Sequence, residues 1–343
     1  MRRLPIEVYI VLFIAAWGVA SRVRADLVTY PGAIFESYTP LIVAGDPAGS
    51  PPDSPANRVD PNTTTSPFAG VGSLNIAGSF ICTGTAISPI HVLTAAHCLD
   101  TNNDGVIDFT PNQVVFNLNF GGDLTHSIAA SSLAVHPQFT GFNNPNVNDD
   151  IAVITLSSPL PAGVPIYPLY LSPLTSGTTL TLVGYGQSGT GTAGYTIGAS
   201  FTVKRQGKNQ ADAGILDDEG SGKVEVFLFD FDGPTGNGPL GGPTLGNDVE
   251  TTTGPGDSGG PAFVLVGSTY FLAGVNTFTA KFTGGPDAPF FGSGGGGMIV
   301  SAYADFIFTS TGIPEPSSAF VAGSLALAAA GIVRRKRQKP SPA

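Results

Sequence analysis

The sequence predicts an all-β body, and three observations carry that prediction. Short apolar runs follow one another from Val59 onward, each ended by Gly, Pro, Asn or Asp, the residues that turn a chain. Gly and Pro are abundant, at 46 and 29 of 343 residues, and both are poor in helix interiors. Long helix-forming runs are few. The clearest strand candidates are residues 70–76, 80–87, 91–94, 114–119, 127–135, 151–156, 179–183, 224–231, 261–266 and 270–278. Residues 224–229, Val-Glu-Val-Phe-Leu-Phe, half alternate, which fits a strand with one wet face. So many short strands fit a barrel or a sandwich. Residues 205–222 and 232–248 are polar or glycine-rich and read as long loops. The four glycines 294–297 also read as a flexible loop, since no Lys-Ser/Thr follows to make a phosphate cradle. Residues 301–308 read as a closing helix, and 26–58, rich in Pro, Gly and Ser without a period, as a prosegment or flexible arm.

Charge divides the chain. Residues 26–312 hold 6 Lys and Arg against 23 Asp and Glu, and the other basic residues sit in the two ends. A body this acidic repels polyphosphate, which excludes nucleic acid as a partner. At the N-terminus, Arg2 and Arg3 precede an apolar run over 8–20, and Val23-Arg24-Ala25 offers a small-residue cleavage site. Residues 1–25 therefore resemble a secretory signal peptide, the run being short for a membrane span. The two cysteines, Cys82 and Cys98, then face an oxidising compartment, where pairing is expected.

The chain is organised around Gly254-Pro255-Gly256-Asp257-Ser258-Gly259-Gly260-Pro261. Small residues around a single hydroxyl let the backbone turn sharply and bring its amides close to a bound group. A serine on such a turn suits acyl transfer: the hydroxyl attacks a carbonyl and the amides receive the charge that develops on oxygen. Alone, the motif reads as a glycine-rich surface turn. Thr94-Ala95-Ala96-His97-Cys98 and Asp149-Asp150-Ile151-Ala152-Val153 add a base and a carboxylate, in the order His, Asp, Ser. Together the three stretches resemble the trypsin/chymotrypsin-like serine proteases, a likeness that extends over most of residues 59–308.

That resemblance implies two antiparallel six-stranded β-barrels with a short C-terminal helix, over residues 59–312. It implies Ser258 as nucleophile, His97 as base and Asp150 as the carboxylate that holds the histidine tautomer. Asp150 is selected over Asp149 because it directly precedes the following strand, and a strand's alternating faces leave Asp149 solvated. The backbone N–H groups of Gly256 and Ser258 are the implied oxyanion hole, and a Cys82–Cys98 bridge pins the turn that presents His97. Val183-Gly184-Tyr185-Gly186 resembles another family segment, near the start of the second barrel. His91 and His126 lack motif context, and His136 matches a family segment without a catalytic role. Thr252, Thr277 and Thr279 fall at the substrate pocket, where Thr252 replaces the acid of trypsin-type enzymes. An acidic pocket floor is therefore not expected, unless Glu250 supplies one. Asp257 is the buried aspartate that the family pairs with a new N-terminal amine. Ile42-Val43-Ala44-Gly45 is more alike in sequence, but Arg58-Val59 is better spaced from His97 and is the favoured cleavage point, giving a Val59–Asp257 pair.

Asp100, Asn102, Asp104 and Asp108 place oxygen donors on one loop with Gly105 after the third, which resembles an EF-hand-like calcium loop. Its twelfth position is Pro111, not Glu, and an Asx-rich turn is the other reading. No other cofactor is required. In residues 313–343, Pro314-Glu315-Pro316 precedes an apolar run over 319–333 and Arg334-Arg335-Lys336-Arg337. This resembles the PEP-CTERM sorting signal of Gram-negative bacteria, processed by an exosortase, an ordinary C-terminal anchor helix being the other reading. The expectation is an exported serine endopeptidase acting on protein or peptide substrates, in the periplasm, at the cell surface or outside it. The alternative is a catalytically silent, surface-displayed binding domain on the same fold.

Overall fold

The structure, a computed structural model, describes residues 27–314 apart from 31–32, 37–41, 144–145 and 237. The expected signal segment and the sorting tail lie outside the described residues. Two short strands of the N-terminal arm come first, β1 (Val28–Thr29) and β2 (Ala33–Glu36). Six strands then form a closed barrel: β3 (Val71–Ile76), β4 (Phe80–Ala86), β5 (His91–Thr94), β6 (Val114–Leu118), β7 (His126–Val135) and β8 (Ala152–Leu156), in the order β3-β4-β5-β8-β7-β6. Closure leaves no sheet edge unpaired. Leu74, Val92, Phe116 and Ile154 fill it, fully buried, and each such side chain contributes roughly 1.5–3 kcal/mol of transfer energy.

The second half comprises β9 (Thr178–Gly184), β10 (Ser188–Thr190), β11 (Gly194–Ile197), β12 (Arg205–Ala211), β13 (Ala213–Leu216), β14 (Val224–Asp230), β15 (Pro261–Val266), β16 (Thr269–Phe282) and β17 (Gly294–Ile299). Strands β10 and β11 form a hairpin sheet of their own. The remainder make one nine-stranded sheet in the order β1-β13-β14-β17-β16-β15-β9-β12, with β2 attached to β16. The strands expected to form the second six-stranded barrel lie within this one sheet. Its two flanks meet at Asp212, since β12 pairs with β9 and β13, one residue later, pairs with β14. Helix α1 (Ala304–Thr311) ends on Gly312, whose φ of 65° is the left-handed cap that glycine adopts without strain. Among the described residues no helix is long and apolar enough to cross a membrane.

Three expectations for loops are corrected. Residues 205–222 hold β12 and β13, because alternate residues of Arg-Gln-Gly-Lys-Asn-Gln-Ala are buried although few are apolar. The glycine run is the buried strand β17, between β14 and β16. A Cβ on Gly297 would lie 1.8 Å from the Val275 carbonyl oxygen, so only glycine fits. Residues 42–58 are packed and not a loose arm: Ile42, Val43 and Ala44 are buried, and Ala44 bridges Thr190. Arg58 is buried too, its Nε 2.8 Å from Asp53 Oδ2, with the other nitrogens donating to the Asn247, Val249 and Glu250 carbonyls. Lys204 is also enclosed, donating to Phe68 O at 2.7 Å and pairing with Asp60 at 3.0 Å, and Arg205 lies inside as well.

The halves are stitched together. Tyr185, just after β9, donates its hydroxyl to Val71 O at 3.1 Å and accepts from Asn119 Nδ2 at 3.1 Å. Thr83 N, on β4, donates to Ser258 O at 2.8 Å. The predicted constellation lies along this seam.

Candidate active site

His97 sits on a single 3-10 turn, Ala96–Cys98, at the end of β5. The Cys82–Cys98 bridge ties the turn to β4, and closing a loop of this size stabilises by about 3 kcal/mol. The backbone N–H of His97 donates to Asp150 Oδ1 at 2.9 Å, and its Nδ1 lies 2.6 Å from Asp150 Oδ2. Its Nε2 lies 2.7 Å from Ser258 Oγ. A carboxylate only accepts, so Nδ1 carries the ring proton and Nε2 is left to accept from the serine hydroxyl. Asp150 and Ser258 are fully buried and His97 is nearly so, which removes water that would weaken these contacts. Phe142 packs edge-on against the imidazole at 5.4 Å.

The serine turn depends on its glycines. Gly259 has φ 79°, and a Cβ there would meet Thr94 Oγ1 at 2.0 Å. Gly256 has φ 108°, and its carbonyl accepts from the Thr83 hydroxyl at 2.9 Å. Asp257 points inward. Its Oδ1 accepts the Gly186 N–H at 2.9 Å, and its Oδ2 is buried without a hydrogen-bond partner. Burial holds this carboxyl well above the usual carboxylate range, with the Gly186 bond and the Arg205 charge opposing.

The structure does not bring Val59 to Asp257. Val59 is bridged to Arg205 and is 44% exposed, and the Arg58 side chain before it is locked inside. The alternative segment is the one beside the serine turn. Ile42 O accepts from Ser188 Oγ at 2.8 Å, two residues from Gly186, and Val43 N donates to Thr252 O at 3.1 Å.

Asp149 is buried, not solvated. A φ of 62° turns it off the strand alternation, and its Oδ1 lies 2.9 Å from His136 Nδ1. Its N–H donates to Tyr303 Oη, which donates to Glu225 Oε2. Carboxylate oxygens of Asp149, Glu219 and Glu225 converge here, and burial pushes Glu225 up to about 7. His91, buried, is paired with Ser88 Oγ at 2.8 Å.

Thr252, Thr277 and Thr279 are all buried beside the serine turn and β16. The Thr252 and Thr277 hydroxyls have no hydrogen-bond partner, and neither has that of Thr253, which sequence reasoning passed over. Glu250 faces elsewhere: it accepts from Asp232 N, Thr244 Oγ1 and Leu245 N, among other acids. Sequence reasoning also missed the open cleft of about 380 Å³ beside His97 and Gly256, walled by Phe80, Ile81, Gln187 and Ala199.

In the loop after His97 the acids close on their own backbone. Asp100 accepts from the amides of Asn103, Asp104 and Gly105, and Asp108 from those of Thr101 and Asn102. Asp104 takes the Val106 amide and the Asn102 side-chain amide. Such bonds make an Asx-rich turn complete in itself. Oxygens of all three carboxylates accept amides of this loop, as the Asx-rich turn reading expects.

Comparison with known proteins bears on the fold. A sequence model of the trypsin family matches residues 60–225. The matched span falls a little short of half the chain, and the fold there is trypsin-like. Brachyurin of Leptuca pugilator is 28% identical over 248 residues, 70% of this chain and 92% of that relative. Trypsin alpha-4 of Lucilia cuprina is 30% identical over 131 residues, 38% of this chain and 48% of the relative. At this low identity the matches point to a serine endopeptidase acting on protein or peptide substrates.

Proposed function

We propose that this chain is an exported serine endopeptidase that works through His97, Asp150 and Ser258. The observation that supports it most is the unbroken relay from Asp150 Oδ2 through His97 to Ser258 Oγ, at 2.6 and 2.7 Å. In the first step Ser258 Oγ bonds to the scissile carbonyl carbon while its proton passes to His97 Nε2. The carbonyl π pair moves onto oxygen, which the amides of Gly256 and Ser258 receive. Collapse expels the amine, which takes the proton from His97, and water then repeats the sequence to free the acid. Asp150 orients the ring and stabilises its cation without becoming protonated.

Thr252, Thr277 and Thr279 offer hydroxyls and no charge, so the residue before the scissile bond is uncharged. The acids near Glu250 do not reach this side. A peptide-library digest checks the preference, and a strong bias toward Lys or Arg would reject it. Activation follows a cut before Ile42, not Val59: the Ile42 segment is already seated beside Gly186, and its new amine would supply the partner that Asp257 Oδ2 lacks. The terminal segments fit export, with the tail resembling a PEP-CTERM signal for an exosortase. The deciding experiment is labelling of the activated protein by a fluorophosphonate. Attachment to Ser258, lost in Ser258→Ala, is expected; an unlabelled Ser258 in active protein would sink the reading.

A further inference from the structure

Strand β16 has different neighbours on its two edges. Thr279 and Ala280 pair with Gly295 and Gly294 of β17 on one edge. On the other edge β15 accompanies β16 only as far as Val275. Beyond that point the second edge is taken by the chain's own N-terminal arm. Glu36 pairs with Thr279, Phe35 with Ala280, Ile34 with Lys281 and Ala33 with Phe282, antiparallel.

The direction of the arm matters. β16 passes the serine turn at Asn276, whose carbonyl accepts the Gly259 N–H at 2.8 Å and whose N–H donates to Gly260 O at 2.8 Å. Thr279 lies three residues further on, roughly 10 Å at the rise of a strand. β2 enters at Phe282 and advances toward Thr279, so it heads for Ser258. An extended peptide delivering a carbonyl to Ser258 along β16 would use the same backbone groups. The start of the arm is fastened: β1 pairs in parallel with Ala213 and Gly214, Leu27 is buried, and the Tyr30 ring meets Phe282 edge-on at 5.7 Å.

We propose that the N-terminal arm is a tethered inhibitor, in which Ala33–Glu36 occupies by strand addition the edge of β16 along which an extended substrate must lie. The proposal rests on reading Ser258 as the nucleophile. Four paired residues bind weakly as a free peptide. Attached to the domain and anchored at β1, they act at an effective concentration on the order of millimolar. A cut before Ile42 breaks the tether, so one event both frees the edge and creates the amine for Asp257.

The test uses the full chain carrying Ser258→Ala, with and without Ile34→Pro and Phe35→Pro together. Alternate residues of a strand direct their N–H to the neighbour, so one of two adjacent prolines removes a ladder bond in either phase. Binding of a fluorescein-labelled hexapeptide of alternating Ala and Thr is followed by anisotropy. The proline pair is expected to lower Kd at least fivefold, with replacement of residues 33–36 by Gly-Ser-Gly-Ser giving the same gain. Equal affinity across the three chains, or no binding to any, overturns the proposal. Fluorophosphonate labelling of the chain with Ser258 intact reports separately on the nucleophile. Labelling without a gain from the prolines rejects the arm alone, and a gain without labelling rejects the nucleophile alone.

Discussion

At the scale of single residues, two adjacent aspartates play opposite parts. Asp150 faces His97, whereas Asp149 turns away through its left-handed backbone to His136. Replacing Ser258, His97 or Asp150 by Ala is expected to lower kcat by about 10⁴–10⁶-fold, with the melting temperature little changed. Asp149→Asn behaves differently. It leaves kcat within about tenfold but weakens a buried contact, costing about 1–3 kcal/mol, read as a lower denaturant midpoint. If Asp149→Asn matched Asp150→Ala in kcat, the division of roles would be wrong. The residue order His, Asp, Ser and the Gly-rich turn were legible in the sequence because each of the three sits in a short motif of its own. The fate of Asp149 was not, since it depends on Tyr303, His136 and Glu225, which reach it from three separate segments.

Elements were legible where apolar side chains mark them. The six barrel strands fall within a residue or two of their apolar runs. By contrast β12 and β17 were hidden, because their burial comes from neighbours and not from their own side chains. β17 has no room for side chains at its glycines. Gly297→Ala is therefore expected to force apart β16 and β17, lowering the melting temperature by more than about 10 °C or preventing soluble expression. An unchanged melt would mean that the strand can shift without cost. The proposed change of activation point, from Val59 to Ile42, has a similar origin. Spacing favoured Val59, but the bonds that hold Arg58 and the burial of Ile42 are long-range contacts that spacing does not report.

Across the whole molecule, acidity is concentrated as well as abundant. Asp212, Asp230, Asp232 and Glu250 share one partly enclosed region beside β12 and β14. Burial, with mutual repulsion, pushes Asp212 up to about 8, Asp230 to about 6 and Glu250 to about 7. Each folded value lies above the unfolded one, so the folded state holds more protons. The stability they contribute is complete below about pH 4 and is lost as pH rises through about 6–8. Thermal unfolding is expected at a higher temperature at pH 5 than at pH 8, with the difference reduced in Asp230→Asn. A melting temperature that rises over that interval in both proteins would contradict this. The same distribution of charge has an outcome for survival among other proteases. Arg58, Lys204 and Arg205 are inside, while Lys208 and Lys281 lie within the paired strands β12 and β16. Lys223 alone among the described basic residues lies on an exposed stretch outside the strands. Among the described residues, an enzyme that cuts after Lys or Arg thus finds one exposed site outside the strands, and the fold is expected to resist such enzymes.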